Sequence, residues 1–359
     1  MKLPSQHNKM AGNCEACVLK ALKSRTKKLS LDNNALKTLS VSVGRLGFLE
    51  TLSAKNNDLL SLPEEIANLR QLGYLNLGGN KLQSIPTCVC GLPKLRTLHL
   101  FRNCLTSFPN QLPSTLILLN LNHNNLTTIS PSITQLTSLK QLSLANNALT
   151  QLPPEIGTLH SLEELHLNGN NLFTLPYELG KLRNLKKLML QKNSIKALPI
   201  SIGECRKLST LDVSGNQLEI FPAELQLLSF REFHFENNPL LPYIPVPADQ
   251  YQEVIPLKEV ASRAIVTEIR KDSALLSAMV SYYPGVQDQL DKAGDCAVCG
   301  QPFVSLWLDC VHFELSKKVF QKLHTSSQGY LPMKAQLCSY KCFNSEGHKL
   351  FGIAEPPIF

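Results

Sequence analysis

An α/β solenoid of about ten short repeats, followed by a helical link and a small cysteine-bearing module, is predicted by three observations. The first is a ladder of asparagines: Asn34, Asn57, Asn80, Asn103, Asn124, Asn147, Asn170, Asn193, Asn216 and Asn238. Their spacing is 23 residues, shortened to 21 before Asn124 and 22 before Asn238. The second is the phrase each asparagine closes, leucine-x-leucine-x-x-asparagine or its apolar equivalent. This phrase at this period is the signature of a leucine-rich repeat, a one-dimensional stack whose open surface usually holds another protein. The third is the break after Asn238. Four prolines in residues 239–247 end the regular pattern, and two close cysteine pairs follow.

Within one repeat the physics is legible. In the segment from Leu162 to Leu172 the short strand lies at Leu165 to Leu167. Strand side chains alternate faces, so Leu165 and Leu167 point into the stack while Glu164 and His166 point to the concave face. Asn170 turns the chain, and its amide should bond backbone groups of the turn that no strand partner reaches. Leu172, Leu175, Pro176 and Leu179 then return along the convex side. Each buried leucine contributes about 1.5–3 kcal/mol, provided the next repeat covers it. The ends therefore need caps. Residues Cys14 to Lys23 read as an amphipathic cap helix with Cys17, Val18, Ala21 and Leu22 inside.

The domain organisation expected is a basic lead-in with cap helix (1–28), the solenoid (29–243), a helical link (244–293) and a four-cysteine module with tail (294–359). The formal charge is +8. Lys2, Lys9, Lys20, Lys23, Arg25, Lys27 and Lys28 against Glu15 place most of that excess in the lead-in. No aromatic residues interleave these lysines, so a solvated cap helix is the expectation rather than a nucleic-acid arm. The mean hydropathy of −0.06 and the lack of an 18-residue apolar run predict no membrane span. The opening residues lack a secretory apolar segment. Eleven cysteines then read as reduced thiols or metal ligands in a cytoplasmic protein, which nuclear residence also suits.

The concave positions are the candidate target-binding face: Tyr74, Asn76, His99, Phe101, Arg102, Asn120, Asn122, His123, His166, Asn168, Met189, Gln191 and Asp212. Aromatic, histidine and amide groups mixed in this way suit protein contacts. The histidines stand on different repeats and lack a ligand partner at metal spacing.

Cys296-x2-Cys299 and Cys338-x3-Cys342 are two pairs of the kind four-thiolate zinc requires, with β structure expected at Phe303–Leu308 and Val311–Leu315. Gly300 suits a knuckle turn needing positive φ. The module reads as zinc-ribbon-like. Cys310, His312, His324 and His348 are alternative ligands. Four thiolates leave no open position, so the zinc expected is structural.

The link carries Pro256 and then Leu257, Ala261 and Ile265 at i, i+4 and i+8, a stripe widened by Val260 and Ala264. This resembles the elongin-C-binding box of cullin-RING substrate receptors, with Ala261 where cysteine is usual. Pro284, Val286 and Leu290 resemble a cullin-2 box, and the two together resemble the von Hippel–Lindau box. The late segment Leu331 to Cys342, with the repeats and the link, is similar to the leucine-rich repeat-containing protein 58-like family. That resemblance implies a non-enzymatic, substrate-recruiting subunit of an intracellular ubiquitin ligase. Leu257, Ala261 and Ile265 would dock elongin B/C, and Pro284, Val286 and Leu290 would select the cullin. No paired carboxylates, phosphate loop or nucleophile motif stands out. The rival readings are a signalling scaffold sharing the Leu62-Pro63-Glu64-Glu65-Ile66 phrase and a nucleic-acid-binding zinc protein. The latter would want more basic residues near the cysteines than 294–345 carries.

Overall fold

The computed structural model describes residues 6–241, 257–271, 274–291, 293–304, 308–315, 330–337, 342 and 350–355. They form two compact units. The first holds the repeats through residue 239, apart from 219–223; the second holds 219–223 and the described residues from 240 onward.

In the first unit, each repeat contributes one three-residue strand: β1 (Lys28–Ser30), β2 (Thr51–Ser53), β3 (Tyr74–Asn76), β4 (Thr97–His99), β5 (Leu118–Asn120), β6 (Gln141–Ser143), β7 (Glu164–His166), β8 (Lys187–Met189), β9 (Thr210–Asp212) and, after β10 (Phe221–Pro222), β11 (Glu232–His234). The ten repeat strands form one parallel sheet in sequence order, with β11 after β9. Registers match repeat for repeat, as in Leu165 beside Leu188. The alternation follows the phase expected from sequence, with Leu165 fully buried and Glu164 and His166 half-buried on either side.

The asparagines stitch this stack. Asn170 Nδ2 donates to Leu144 O at 3.0 Å in the preceding repeat and to Leu167 O at 2.8 Å in its own. Its Oδ1 accepts from Leu149 N–H at 3.1 Å. The same set recurs at Asn80, Asn103 and Asn193. At the open edge there is no preceding turn, and Asn34 Nδ2 bonds Asp32 O instead. The residue before each ladder asparagine takes positive φ. Seven repeats place Gly or Asn there; the exceptions are Arg102 (φ 52°), His123 (φ 55°) and Lys192 (φ 57°).

The convex side returns mostly through five-residue 3₁₀ turns such as Pro154–Thr158 and Tyr177–Lys181, with one short α-helix, α2 (Thr87–Cys90), after the cap helix α1 (Gln6–Ser24). The shortened span before Asn124 carries no helix among its described residues, but still buries Phe108, Leu112 and Leu116. In α1, Val18 and Ala21 are buried and Leu22 is half-buried, while Cys17 is exposed. Cys17 is therefore not on the inner face, which is a correction to the expected stripe. At the other end, the core positions of the tenth repeat are filled by Phe233 and Phe235. Phe233 stacks on Phe230 with centroids 5.1 Å apart.

Along the edge before the strands, Glu163 bridges Lys140 at 3.0 Å and Lys186 at 2.5 Å. Hydrogen bonds from Lys186 and Lys140 hold its carboxyl down to about 2. A depressed carboxylate stabilises the fold above its unfolded value, near 4.5, and loses that contribution as pH falls towards 2. An NMR titration should show Glu163 still ionised at pH 3.5, and Lys186→Met should return its midpoint towards 4.5. Because the group is solvent-facing, the effect on stability should be small and weaken with salt.

In the second unit, α3 (Leu257–Arg270), α4 (Ala274–Ser281) and α5 (Pro284–Leu290) pack around Val266, Val280 and Leu290. Then β12 (Gly294–Asp295) and β13 (Pro302–Phe303) make a hairpin. The strand β14 (Leu308–Leu315) pairs antiparallel with both β15 (Tyr330–Leu337) and β16 (Leu350–Glu355), and β10 adds to β15 in parallel. The strand expected over 303–308 is thus only its first residue in β13 and its last in β14; residues 305–307 lie outside the described set. β15 buries Leu331, Met333, Ala335 and Leu337.

Candidate functional site

Three surfaces carry the expected site residues. On the concave face, Tyr74, His99 and Phe101 come together across the third and fourth repeats. The Tyr74 and His99 rings lie 5.4 Å apart, and His99 meets Phe101 edge-on at 6.2 Å. Lys55 Nζ stands 5.7 Å over the Phe101 ring, a cation–π contact absent from the residues expected at this site. The ring lies so close on Gly78 that a Cβ there would fall 2.4 Å from ring carbons. Burial lowers the His99 pKa, which favours the neutral ring at neutral pH. Among the described residues its Nδ1 has no hydrogen-bond partner, and neither has Gln191 Oε1.

Asn76 and Asn122 face the same way, but Asn76 Oδ1 is committed to Gly78 N–H at 3.0 Å and Asn122 Oδ1 to Ala145 N–H at 2.7 Å. His166 sits 3.1 Å from Glu164 Oε2, and Met189 is next to it in register. Arg102 and His123 lie on the turn rim, exposed and in the left-handed conformation. A long side chain there carries a backbone cost that Gly would avoid, and such strain gathers where function asks for the side chain. That signal was readable in sequence as the departure from Gly or Asn before the ladder. Replacing Tyr74, Phe101 and His123 together with Glu should abolish capture of a protein partner while shifting the melting temperature by only a few degrees. A loss of several kcal/mol would mean that these rings are core and not contact surface.

In the second unit, the expected docking stripe on α3 is presented as follows. The Leu257 side chain lies outside the described residues; Val260, Ala261 and Ala264 are exposed, and Ile265 is half-buried against the helical core. Glu259 is buried instead, 1 % exposed, with Arg263 Nε at 2.7 Å and the Val304 N–H at 2.8 Å. On α5, Pro284 occupies the first turn and Val286 is exposed, but Leu290 packs against the core and is 8 % exposed. Leu290 thus cannot serve as a free contact in the expected cullin box without unpacking that core.

The sulfurs of Cys296, Cys299 and Cys342 lie within 4.8 Å of one another. Cys338, the alternative ligands His324 and His348, and the His312 side chain lie outside the described residues. The knuckle is built by the β12–β13 hairpin: Cys296 N–H donates to Gln301 O at 3.0 Å and Gly300 N–H to Cys296 O at 2.9 Å. Gly300 takes φ +69°, as a knuckle turn requires. Three thiols this close are the donor set of a soft, tetrahedral cation such as zinc, and suit it better than Mg²⁺ or Ca²⁺. Cys310 is buried on β14 and is not part of this group.

The sequence comparisons agree with the geometry of the first unit. A family model described as leucine rich repeat matches residues 48–105, 114–172 and 160–218. The chain carries a leucine-rich-repeat solenoid. Mouse leucine-rich repeat-containing protein 69 is 37% identical over 136 residues, which is 38% of this chain and 39% of the mouse protein. The match therefore spans about two fifths of each. The solved structure titled PEPR1-AtPEP1 is 29% identical, covers 56% of this chain and 30% of its own, with a TM-score of 0.50. The structure titled as an octameric complex of Latrophilin 3, Unc5D and FLRT2 covers 65% of this chain and 92% of its own at 21% identity and TM-score 0.51, and shows the fold alone. Among the described residues, no helix is long and apolar enough to cross a membrane. Leucine-rich repeats are an interaction fold, and a binding scaffold is the coarse function that follows.

Proposed function

We propose that the chain is an adaptor with two binding surfaces: the concave face selects a target protein, and α3 docks elongin B/C to bring that target to a cullin-RING ubiquitin ligase. The observation that carries the second half is the exposed apolar face of α3. Val260, Ala261 and Ala264 meet solvent although Glu259 of the same helix is buried. A helix that hides its carboxylate and displays its small apolar residues is built to be covered. The identity of the cover comes from the resemblance of Leu257, Ala261 and Ile265 to the elongin-C-binding box. For the cullin contact, the exposed Val286 and the neighbouring Pro284 are the residues proposed, since Leu290 is in the core. The adaptor itself would perform no chemistry. In this reading the cysteine cluster, with Cys338 as fourth thiolate, holds structural zinc.

A pull-down with purified elongin B/C tests it. Wild type should bind, and Ala261→Glu should lose about 30- to 1,000-fold in affinity, the range of a hot-spot residue, at nearly unchanged melting temperature. Absence of binding by well-folded wild type rejects the ligase reading. It would leave the plain signalling scaffold, a reading favoured by the aromatic cluster on the concave face, which needs no second partner.

A further inference from the structure

We infer that the metal site clamps α3, so that metal occupancy controls whether this helix presents its apolar face. The inference rests on the zinc reading of the cysteine cluster. It is carried by the contacts that join α3 to the hairpin bearing the ligands. At one end of the helix, the buried Glu259 accepts from the Val304 N–H, the residue immediately after β13, at 2.8 Å. Arg263 Nε also lies 2.7 Å from it, within the helix. At the far end, Arg270 pairs with Asp295, the residue just before Cys296. Between them, Val266, Ile265 and Ile269 pack in a cluster that includes Ala293 and Val304, which flank the hairpin. The hairpin in turn is tied to β15 by the Ala297 N–H on Gln336 O at 3.0 Å, and Cys342 closes the thiol group five residues beyond β15.

The thiols come from two places in the chain, so a metal ion would add to that backbone tie and hold the hairpin's thiols to Cys342. Without it, three thiol groups within 4.8 Å have no shared cation to hold them together. A loosened hairpin would withdraw the Val304 N–H from Glu259 and Asp295 from Arg270. A carboxylate that is 1 % exposed cannot lose a donor cheaply; α3 must then rotate or fray to give Glu259 water. Either movement disrupts the surface formed by Val260, Ala261 and Ala264. Glu259 is thus a positioning residue. It touches neither the metal nor a docking partner, and sets the rotation of the helix between them.

The test is hydrogen–deuterium exchange on the full chain, under reducing conditions, with zinc content measured in parallel. Zinc-loaded protein should protect the amides of residues 257–270. Removal of zinc with EDTA should speed their exchange by about tenfold or more, and added zinc should restore it, while the repeat strands stay unchanged. Glu259→Gln should keep the zinc stoichiometry yet show fast α3 exchange in the loaded state and a smaller response to EDTA. If zinc binds and α3 exchanges identically with and without it, the clamp is overturned and the metal site stands alone. If the chain takes up no zinc, the metal reading fails and the clamp fails with it.

Discussion

Cys296→Ser is expected to strip the purified chain of its zinc and to make the second unit sensitive to protease, while the repeats keep their melting transition. The expected effect is large because structural zinc contributes about 10–16 kcal/mol of apparent binding free energy, much of which acts as folding free energy. The described apolar core of this unit's helices is small, built on Val266, Val280 and Leu290, and could not replace that contribution. Cys338→Ser should behave in the same way if that thiolate completes the set. Cys310→Ser should leave zinc content intact, because Cys310 stands apart from the thiol group. Zinc content by elemental analysis and limited proteolysis are the measurements. A metal-free second unit as resistant as the loaded one would contradict the assignment.

Asn170→Ala is expected to destabilise the first unit by about 1–3 kcal/mol, since the buried Leu149 N–H loses its acceptor. Leu144 O and Leu167 O each lose one of two amide donors and keep the other, from Asn147 and Asn193. Asn34→Ala removes the edge copy, whose amide reaches only Asp32 O in its own turn, though its backbone N–H still rests on Asn57 Oδ1. It should cost about 1 kcal/mol or less. Urea unfolding of both variants checks the pair. Equal losses would show that the ladder is not what couples repeat to repeat.

The repeats were legible because one residue type had to recur. One amide side chain supplies the two donated bonds and the acceptor that the buried turn uses, so the asparagine positions reported the period and, with it, the strand phase. Leu165 inward and His166 outward followed directly. The convex side was less legible. Five residues make fewer than two turns of 3₁₀ helix, at about three residues per turn, and carry too little periodicity to announce a helix type. The second unit was legible in its cysteine spacing and in Gly300, and much less so in its strands, because β14, β15 and β16 pair across long separations. The face of α3 was half legible. The stripe of Leu257, Ala261 and Ile265 was visible, but the structure divides it: Ala261 is exposed while Ile265 packs against the helical core. Here the ion pair of Glu259 with Arg263 lets a charged residue turn inward, and sequence periodicity has no means of showing that exchange. Leu290 erred the other way: a box position by spacing, it is a core residue by packing. On the concave face, Lys55 was missed because its contact with Phe101 joins residues two repeats apart in sequence.

The proposed adaptor role requires two docking surfaces that act independently. Quantitative affinity purification of the full chain tests it most directly, comparing wild type, the Tyr74, Phe101 and His123 to Glu triple variant, and Ala261→Glu. The triple variant should lose its target proteins and retain elongin B/C, while Ala261→Glu should lose elongin B/C and retain the targets. Recovery of elongin B/C equally from wild type and Ala261→Glu, or from neither, would contradict it.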